Sequence, residues 1–344
     1  MRNILLLIAG LCFFMSSAQA EIDGKKVVFV HGLQTKAFTL LFDPNRQSKL
    51  EADAQSQAGS FLQSRFDDFI YFDSAKRLSA NNASLYQQVK RIEQAQTCRD
   101  GCYFFTASTG DLVTRYILSK LGQWGIDRNK FKVLLTFDLV GAGGGTEGAD
   151  TIVAVVQGNP ISVALNSLLA KFFLGTQIDF GSLVGIINDL RPSIARQTAM
   201  QANVVPRLRI AAGEETFLIS AFLKGGDDSV VPLHSACGSS RQESVDSCSR
   251  SIELDGRLRS SSGPRSFLYN HFPIAMATDM KHTDTDYTGR LVAVNNNRNF
   301  GPLSYDVKER SYSTGWWIFK KKYRVIDKPS NMKATEFFVR EIEE

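Results

Sequence analysis

The chain has 344 residues, a formal net charge of +5 and 43% hydrophobic residues. That charge is too mild to point to nucleic acid, and the apolar content is ample for a packed core. The length suits a sheet-based enzyme with insertions.

The chain opens MRNILLLIAGLCFFMSSAQA. Arg2 supplies a charged start, Ile4 to Met15 an apolar run, and Ala18-Gln19-Ala20 a small-residue cleavage site. This pattern predicts residues 1–20 as a signal peptide cleaved after Ala20, too short for a comfortable membrane span. The expected destination is the periplasm or the exterior, and Cys12 would be discarded with the leader. An oxidising destination makes an even number of cysteines read as disulfides. Cys98, Cys102, Cys237 and Cys248 remain, and sequence-local pairing gives Cys98–Cys102 and Cys237–Cys248. A metal site is the competing reading of C-x3-C. With no histidine near Cys98 and Cys102 in sequence, no metal is expected there.

Lys25 to Val30 is a β-branched apolar run of the kind found in buried parallel strands, and it ends in His31-Gly32-Leu33. Leu50 to Asp67 has helical spacing, Asp68 to Asp73 reads as a strand, and Asn81 to Gln96 as a helix. Tyr103 to Thr106 is a short apolar strand, followed by the turn Ala107-Ser108-Thr109-Gly110 and a helix from Asp111 to Gly122. A strand, a tight turn with a central serine and a helix is what a nucleophile elbow requires. Small neighbours let the backbone fold back, and the helix N-terminus offers N–H groups to a developing oxyanion.

Lys132 to Val140 is another buried strand, running into a glycine-rich stretch at 141–150. The stretch lacks the Lys-Ser/Thr of a phosphate loop, so it reads as a loop leading into a cap. Residues 151–205 are apolar and sparsely charged, and are expected to form a lid over an acyl-chain pocket. Arg207 to Leu223 reads as a return to the sheet, with Thr216 to Ser220 as the strand, and Asp227-Asp228 follows in a loop. Ser266 to Asn270 reads as the last sheet strand, with His271 directly after it. Pro273 suits the first turn of a helix through Met280. Residues 287–344 form a C-terminal extension expected to pack on the same domain. Within it, Trp316 and Trp317 stand beside Lys320, Lys321, Lys322 and Arg324. That mixture suits contact with anionic lipid; a hairpin with a solvated lysine edge is the plainer reading. The alternation of strands and helices predicts an α/β fold over 21–286. Its central sheet is mostly parallel with helices on both faces, and 151–205 is inserted as the cap.

Ser108, Asp228 and His271 stand in the order serine, acid, histidine, the chain order of an α/β-hydrolase triad. His271 would take the serine proton and Asp228 would hold the imidazole. The N–H groups of Leu33 and Thr109 would bind the oxyanion. Asp227 and Asp138 are rival acids and His282 is the rival base. His31 reads as a brace for the oxyanion loop, and His234 as loop packing near Asp228.

Val30-His31-Gly32-Leu33, the elbow with its following Leu112, Thr114, Arg115 and Tyr116, Gly145-Thr146-Glu147, Asp228-x-x-Val231-Pro232 and Asn270-His271 together resemble the true-lipase group of secreted bacterial lipases. The resemblance spans roughly Lys25 to Met280. It implies an α/β-hydrolase that cleaves carboxylic esters, of lipids by preference, without an organic cofactor. Three positions depart from the family. Thr106 stands for its glycine, Ala107 for its usual histidine, and Asp111 for a small or apolar residue. The family often carries a structural calcium bound by an Asp two residues past the base. Pro273 holds that place after His271, and Asp284 would hold it only after His282. Asp111, a negative charge near the oxyanion, motivates a second expectation: a hydrolase-fold protein that binds lipid or an envelope partner without catalysis.

Overall fold

The computed structural model describes residues 24–40, 42–157, 184–200, 205–216, 220, 222–242, 268, 274–277, 279–295, 299–300, 303–304, 308–319 and 321–343. The expected leader, residues 158–183 of the expected cap, Cys248 and His271 lie outside the described residues.

One sheet has the strand order β2-β1-β3-β4-β5-β6-β7. Its members are β1 (Lys26–Val30), β2 (Asp68–Ile70), β3 (Cys102–Ala107), β4 (Val133–Leu139), β5 (Arg207–Ala212), β6 (Ile274–Ala277) and β7 (Val292–Asn295). β1 to β6 pair in parallel and β7 closes one edge antiparallel. The covering helices are α1 (Lys36–Thr39), α2 (Arg46–Ser56), α3 (Gly59–Leu62), α4 (Leu78–Gln94), α5 (Gly110–Lys120), α6 (Glu147–Val156), α7 (Pro192–Met200), α8 (Leu233–Ala236) and α9 (Ala334–Glu343).

Strand side chains alternate between faces, and here both faces are covered, so β1 beyond Lys26 and most of β3 read as apolar runs. On one face Val28, Val30 and Phe104 pack with Leu85 and Val89 of α4 and Leu112 and Ile117 of α5. On the other, Val27, Phe29, Tyr103 and Phe105 pack with Leu62 and with Phe338 of α9. The C-terminal residues thus complete the second core, with the Phe338 ring 5.7 Å from that of Phe137.

Two elements differ from the sequence reading. The strand beside β4 is Arg207–Ala212, not Thr216 to Ser220, of which 217–219 lie outside the described residues. Arg207 and Arg209 are fully buried in it, and they interrupt the apolar pattern that would mark it. The helix expected from Pro273 is instead β6. Its small side chains Ala275 and Ala277 are buried inside the sheet.

Beyond β7 come a short hairpin, β8 (Asn299–Phe300) with β9 (Leu303–Ser304), and a longer one, β10 (Glu309–Thr314) with β11 (Lys321–Ile326). A disulfide joins Cys98 and Cys102, between α4 and β3. Cys237 is also disulfide-bonded. Among the described residues no helix is long and apolar enough to cross a membrane.

Candidate active site

Ser108 follows the last residue of β3 with φ +50°. A left-handed non-glycine residue costs roughly 1–2 kcal/mol, so its surroundings must hold it there. The Ser108 N–H donates to the Leu139 carbonyl at 2.9 Å, and the Ser108 carbonyl accepts from Ala142 N–H at 2.9 Å and Asp111 N–H at 3.1 Å. Gly110 is required by close approach: a Cβ there would lie 2.3 Å from the Val30 carbonyl oxygen.

The imidazole that meets Ser108 belongs to His282. Its Nε2 lies 2.9 Å from Ser108 Oγ and its Nδ1 lies 2.7 Å from Asp228 Oδ2. A carboxylate only accepts, so Nδ1 carries the proton and Nε2 accepts from the serine hydroxyl. Asp228 is buried, and its Oδ1 accepts from Val230 N–H at 3.0 Å and Val231 N–H at 2.7 Å. The sequence reading preferred His271. The position of β6 sets where His282 lies. The strand ends at Ala277, so His282 follows its C-terminal end, at the same sheet edge where Ser108 follows β3. His271 precedes β6 in sequence and lies outside the described residues.

The rival acids are engaged elsewhere. Asp227 Oδ1 accepts from Ser220 Oγ and Ser229 N–H, both at 2.7 Å. Asp138 accepts from Thr106 Oγ1 at 2.6 Å and from Arg207 Nη1 at 2.7 Å. His31 is fully buried; its Nδ1 donates to the Gly32 carbonyl at 2.7 Å, and its Nε2 accepts from Phe72 N–H at 3.1 Å. Burial holds its pKa down to about 4, against hydrogen bonds that raise it. His31 is therefore a neutral brace of the first loop, not a base. His234 is likewise buried, between Arg196 and Glu147.

Leu33 and Thr109 line one cleft with Ser108 and His282. Among the described residues neither of their N–H groups is given to another acceptor. The loop carrying Leu33 has a second brace that its sequence does not advertise. Gln57, just past α2, accepts from Gly32 N–H through Oε1 at 2.7 Å. Nothing local in the sequence marks a glutamine 25 residues from its partner.

The cleft holds about 420 Å³. Its lining includes the apolar Ala142, Ile152, Ile187, Leu190 and Val231 and the polar Thr35, Asp53, Gln57 and Thr283. The arrangement can lower the cost of removing a serine proton in a cleft that also has apolar lining. Asp284 stands two residues past His282. Its neighbour Asp286 is bound to Ser60 N–H and Lys333. Among the described residues no three acidic, histidine or cysteine side chains gather as metal ligands.

Asp111 is buried, and its charge is met by Arg207, with Arg115 Nε at 4.0 Å. Thr106 is buried beside it in the same network.

A serine at the β3 elbow, an acid after β5 and a histidine after β6 stand around the C-terminal edge of a parallel sheet. The fold is the α/β-hydrolase fold. No family model and no curated protein matches the chain. Among solved structures it is similar to the mature form of Bacillus licheniformis lipase BlEst2, at 19% identity and TM-score 0.39, over 62% of this chain and 78% of that one. It is also similar to the Legionella pneumophila phospholipase PlaB, at 18% identity and TM-score 0.36, over 62% of this chain and 45% of that one. A third is a metagenomic carboxyl esterase, MGS0156, at 13% identity and TM-score 0.33, over 57% and 52%.

Proposed function

We propose that this chain is an exported serine hydrolase that cleaves carboxylic esters of lipids through an acyl-Ser108 intermediate. The observation that carries the reading is the single imidazole of His282, within hydrogen-bond reach of both Ser108 Oγ at 2.9 Å and Asp228 Oδ2 at 2.7 Å. His282 Nε2 takes the hydroxyl proton as Ser108 Oγ attacks the ester carbonyl, and Asp228 stabilises the imidazolium. The oxyanion is met by Leu33 and Thr109 N–H at the start of α5. Collapse returns the proton from His282 to the leaving alkoxide, which departs as the alcohol. Water, deprotonated by His282, then attacks the acyl-serine; as the acyl–Oγ bond breaks, His282 returns that proton to Ser108 Oγ and the carboxylic acid leaves.

The apolar lining of the cleft supports acyl chains as the occupant. Trp316, Trp317 and Ile318 at the tip of the β10–β11 hairpin are 84%, 87% and 88% exposed. Beside the lysines that follow in sequence, they support contact with an anionic lipid surface. Export is supported by the leader pattern and the Cys98–Cys102 disulfide.

The test is hydrolysis of short- and long-chain p-nitrophenyl esters together with fluorophosphonate labelling. The mature protein would be compared with Ser108→Ala, His282→Ala and His271→Ala. Labelling and turnover are expected in the parent and in His271→Ala, and lost in Ser108→Ala and His282→Ala. A folded parent that neither turns over ester nor takes label would refute the reading and favour a lipid-binding protein without catalysis.

A further inference from the structure

Two of the three departures from the family pattern around Ser108 meet in one buried network. Thr106, two residues before it, donates through Oγ1 to Asp138 Oδ1 at 2.6 Å. Asp138 Oδ2 accepts from Arg207 Nη1 at 2.7 Å. The same nitrogen meets Oδ1 of Asp111, three residues after Ser108. Asp111 Oδ2 in turn accepts from Gly143 N–H at 3.1 Å. Thr106, Asp111, Asp138 and Arg207 are all buried, none more than 2% exposed.

We propose that Thr106, Asp111 and Arg207 are positioning residues for Ser108: their chain of buried bonds clamps both sides of the elbow to β4, β5 and the loop after β4. The inference rests on the reading of Ser108 as nucleophile. Three observations carry it. First, Ser108 is in the left-handed region, a conformation that persists only where the surroundings over-determine it. Second, the loop after β4 is shaped around the Asp111 carboxylate. A Cβ on Gly141 or Gly143 would lie 2.7 or 2.5 Å from Asp111 Oδ2, so those glycines make room for it. That loop also reaches the elbow directly, through Ala142 N–H to the Ser108 carbonyl at 2.9 Å, and Ala142 lines the cleft. Third, a buried ion pair is a poor device for stability, since well-packed apolar residues often do as well or better. It is a good device for fixing geometry, because every member has directional partners. A family glycine at 106 and a small residue at 111 would leave the elbow compact. This chain fills both places and ties them together instead.

The test reads geometry separately from folding. Thr106→Val keeps the shape and removes the donor; Thr106→Ser restores the donor. Asp111→Asn keeps an acceptor for Gly143 N–H and removes the charge facing Arg207. For each, kcat and KM on a soluble p-nitrophenyl ester are measured, with the rate of fluorophosphonate labelling and the melting temperature. Thr106→Val and Asp111→Asn are expected to lower kcat and the labelling rate together by about ten- to a hundredfold, the scale of an ångström-level misplacement, with KM within about twofold. Thr106→Ser is expected to recover most of the loss. If Asp111→Asn fails to fold, the valine and serine pair at 106 decides alone. An active parent whose Thr106→Val retains kcat and labelling rate within about twofold overturns this inference and leaves the triad untouched. A parent that takes no label overturns the reading of Ser108 and this inference with it.

Discussion

Lowering the pH should weaken the fold through His31, and the size of the effect follows from its surroundings. The ring is fully buried and stacked on Phe72 at 4.0 Å between centroids. Its Nε2 accepts from Phe72 N–H, so a proton there would set two donors face to face. Desolvation holds the folded pKa at about 4, against 6.5 for a free histidine. The unfolded chain therefore binds a proton that the folded chain refuses between those two values. His31 adds stability above pH 6.5 that is lost as the pH falls to about 4, and the loss amounts to about 3 kcal/mol at ~1.4 kcal/mol per pH unit. Asp138 and Asp227 act the other way, because burial raises both to about 6. Each favours folding where it is protonated and loses that contribution as pH rises through about 6. The raw stability profile mixes these terms, so the measurement is a difference. Urea unfolding of the parent and of His31→Gln would be followed from pH 7 to pH 4. The parent's advantage should shrink by about 3 kcal/mol across that range, since the aspartates are common to both proteins. A difference that stays constant with pH would refute a neutral, desolvated His31.

Other outcomes follow from single contacts. Removing His282 should lower kcat by at least about a thousandfold, as loss of a triad base does. His271→Ala should stay within about threefold, and ester turnover checks both. Ile152→Trp narrows the cleft at its apolar lining and should shift preference toward short acyl chains, read as the ratio of kcat/KM on short and long esters. Trp316→Ser with Trp317→Ser should release the protein from anionic vesicles in a flotation assay while leaving turnover of a soluble ester unchanged. Phe338→Ala opens a cavity against Phe137 and should cost about 3–5 kcal/mol in urea unfolding.

Much of this molecule was legible in its sequence because the signals are local. β1 beyond Lys26 and most of β3 are apolar runs, since both faces of the sheet are covered. The elbow announces itself because a strand, a small-residue turn and a helix occupy adjacent positions. Asp228 stands out because a loop acid followed by Val231-Pro232 is a short-range pattern. Leu33 and Thr109 are singled out by their neighbours His31 and Ser108, and both line the cleft.

What the tertiary structure decided depends on distance in the chain. The placement of His282 beside Ser108 turns on which residues form the strand before it. Ile-Ala-Met-Ala reads equally as helix or strand until β5 and β7 pair with it. His282 then meets a serine 174 residues away, a contact no local pattern encodes. β5 lies earlier in 207–223 than the apolar pattern suggests, because Arg207 and Arg209 interrupt that pattern and yet are buried, Arg207 against Asp111 and Asp138. Asp111 read alone as a negative charge near the oxyanion; in the fold it is one end of an ion pair. Local chemistry sets which groups are available, and long-range packing sets which of them meet, because burying a charge or aiming an imidazole requires partners from several strands at once.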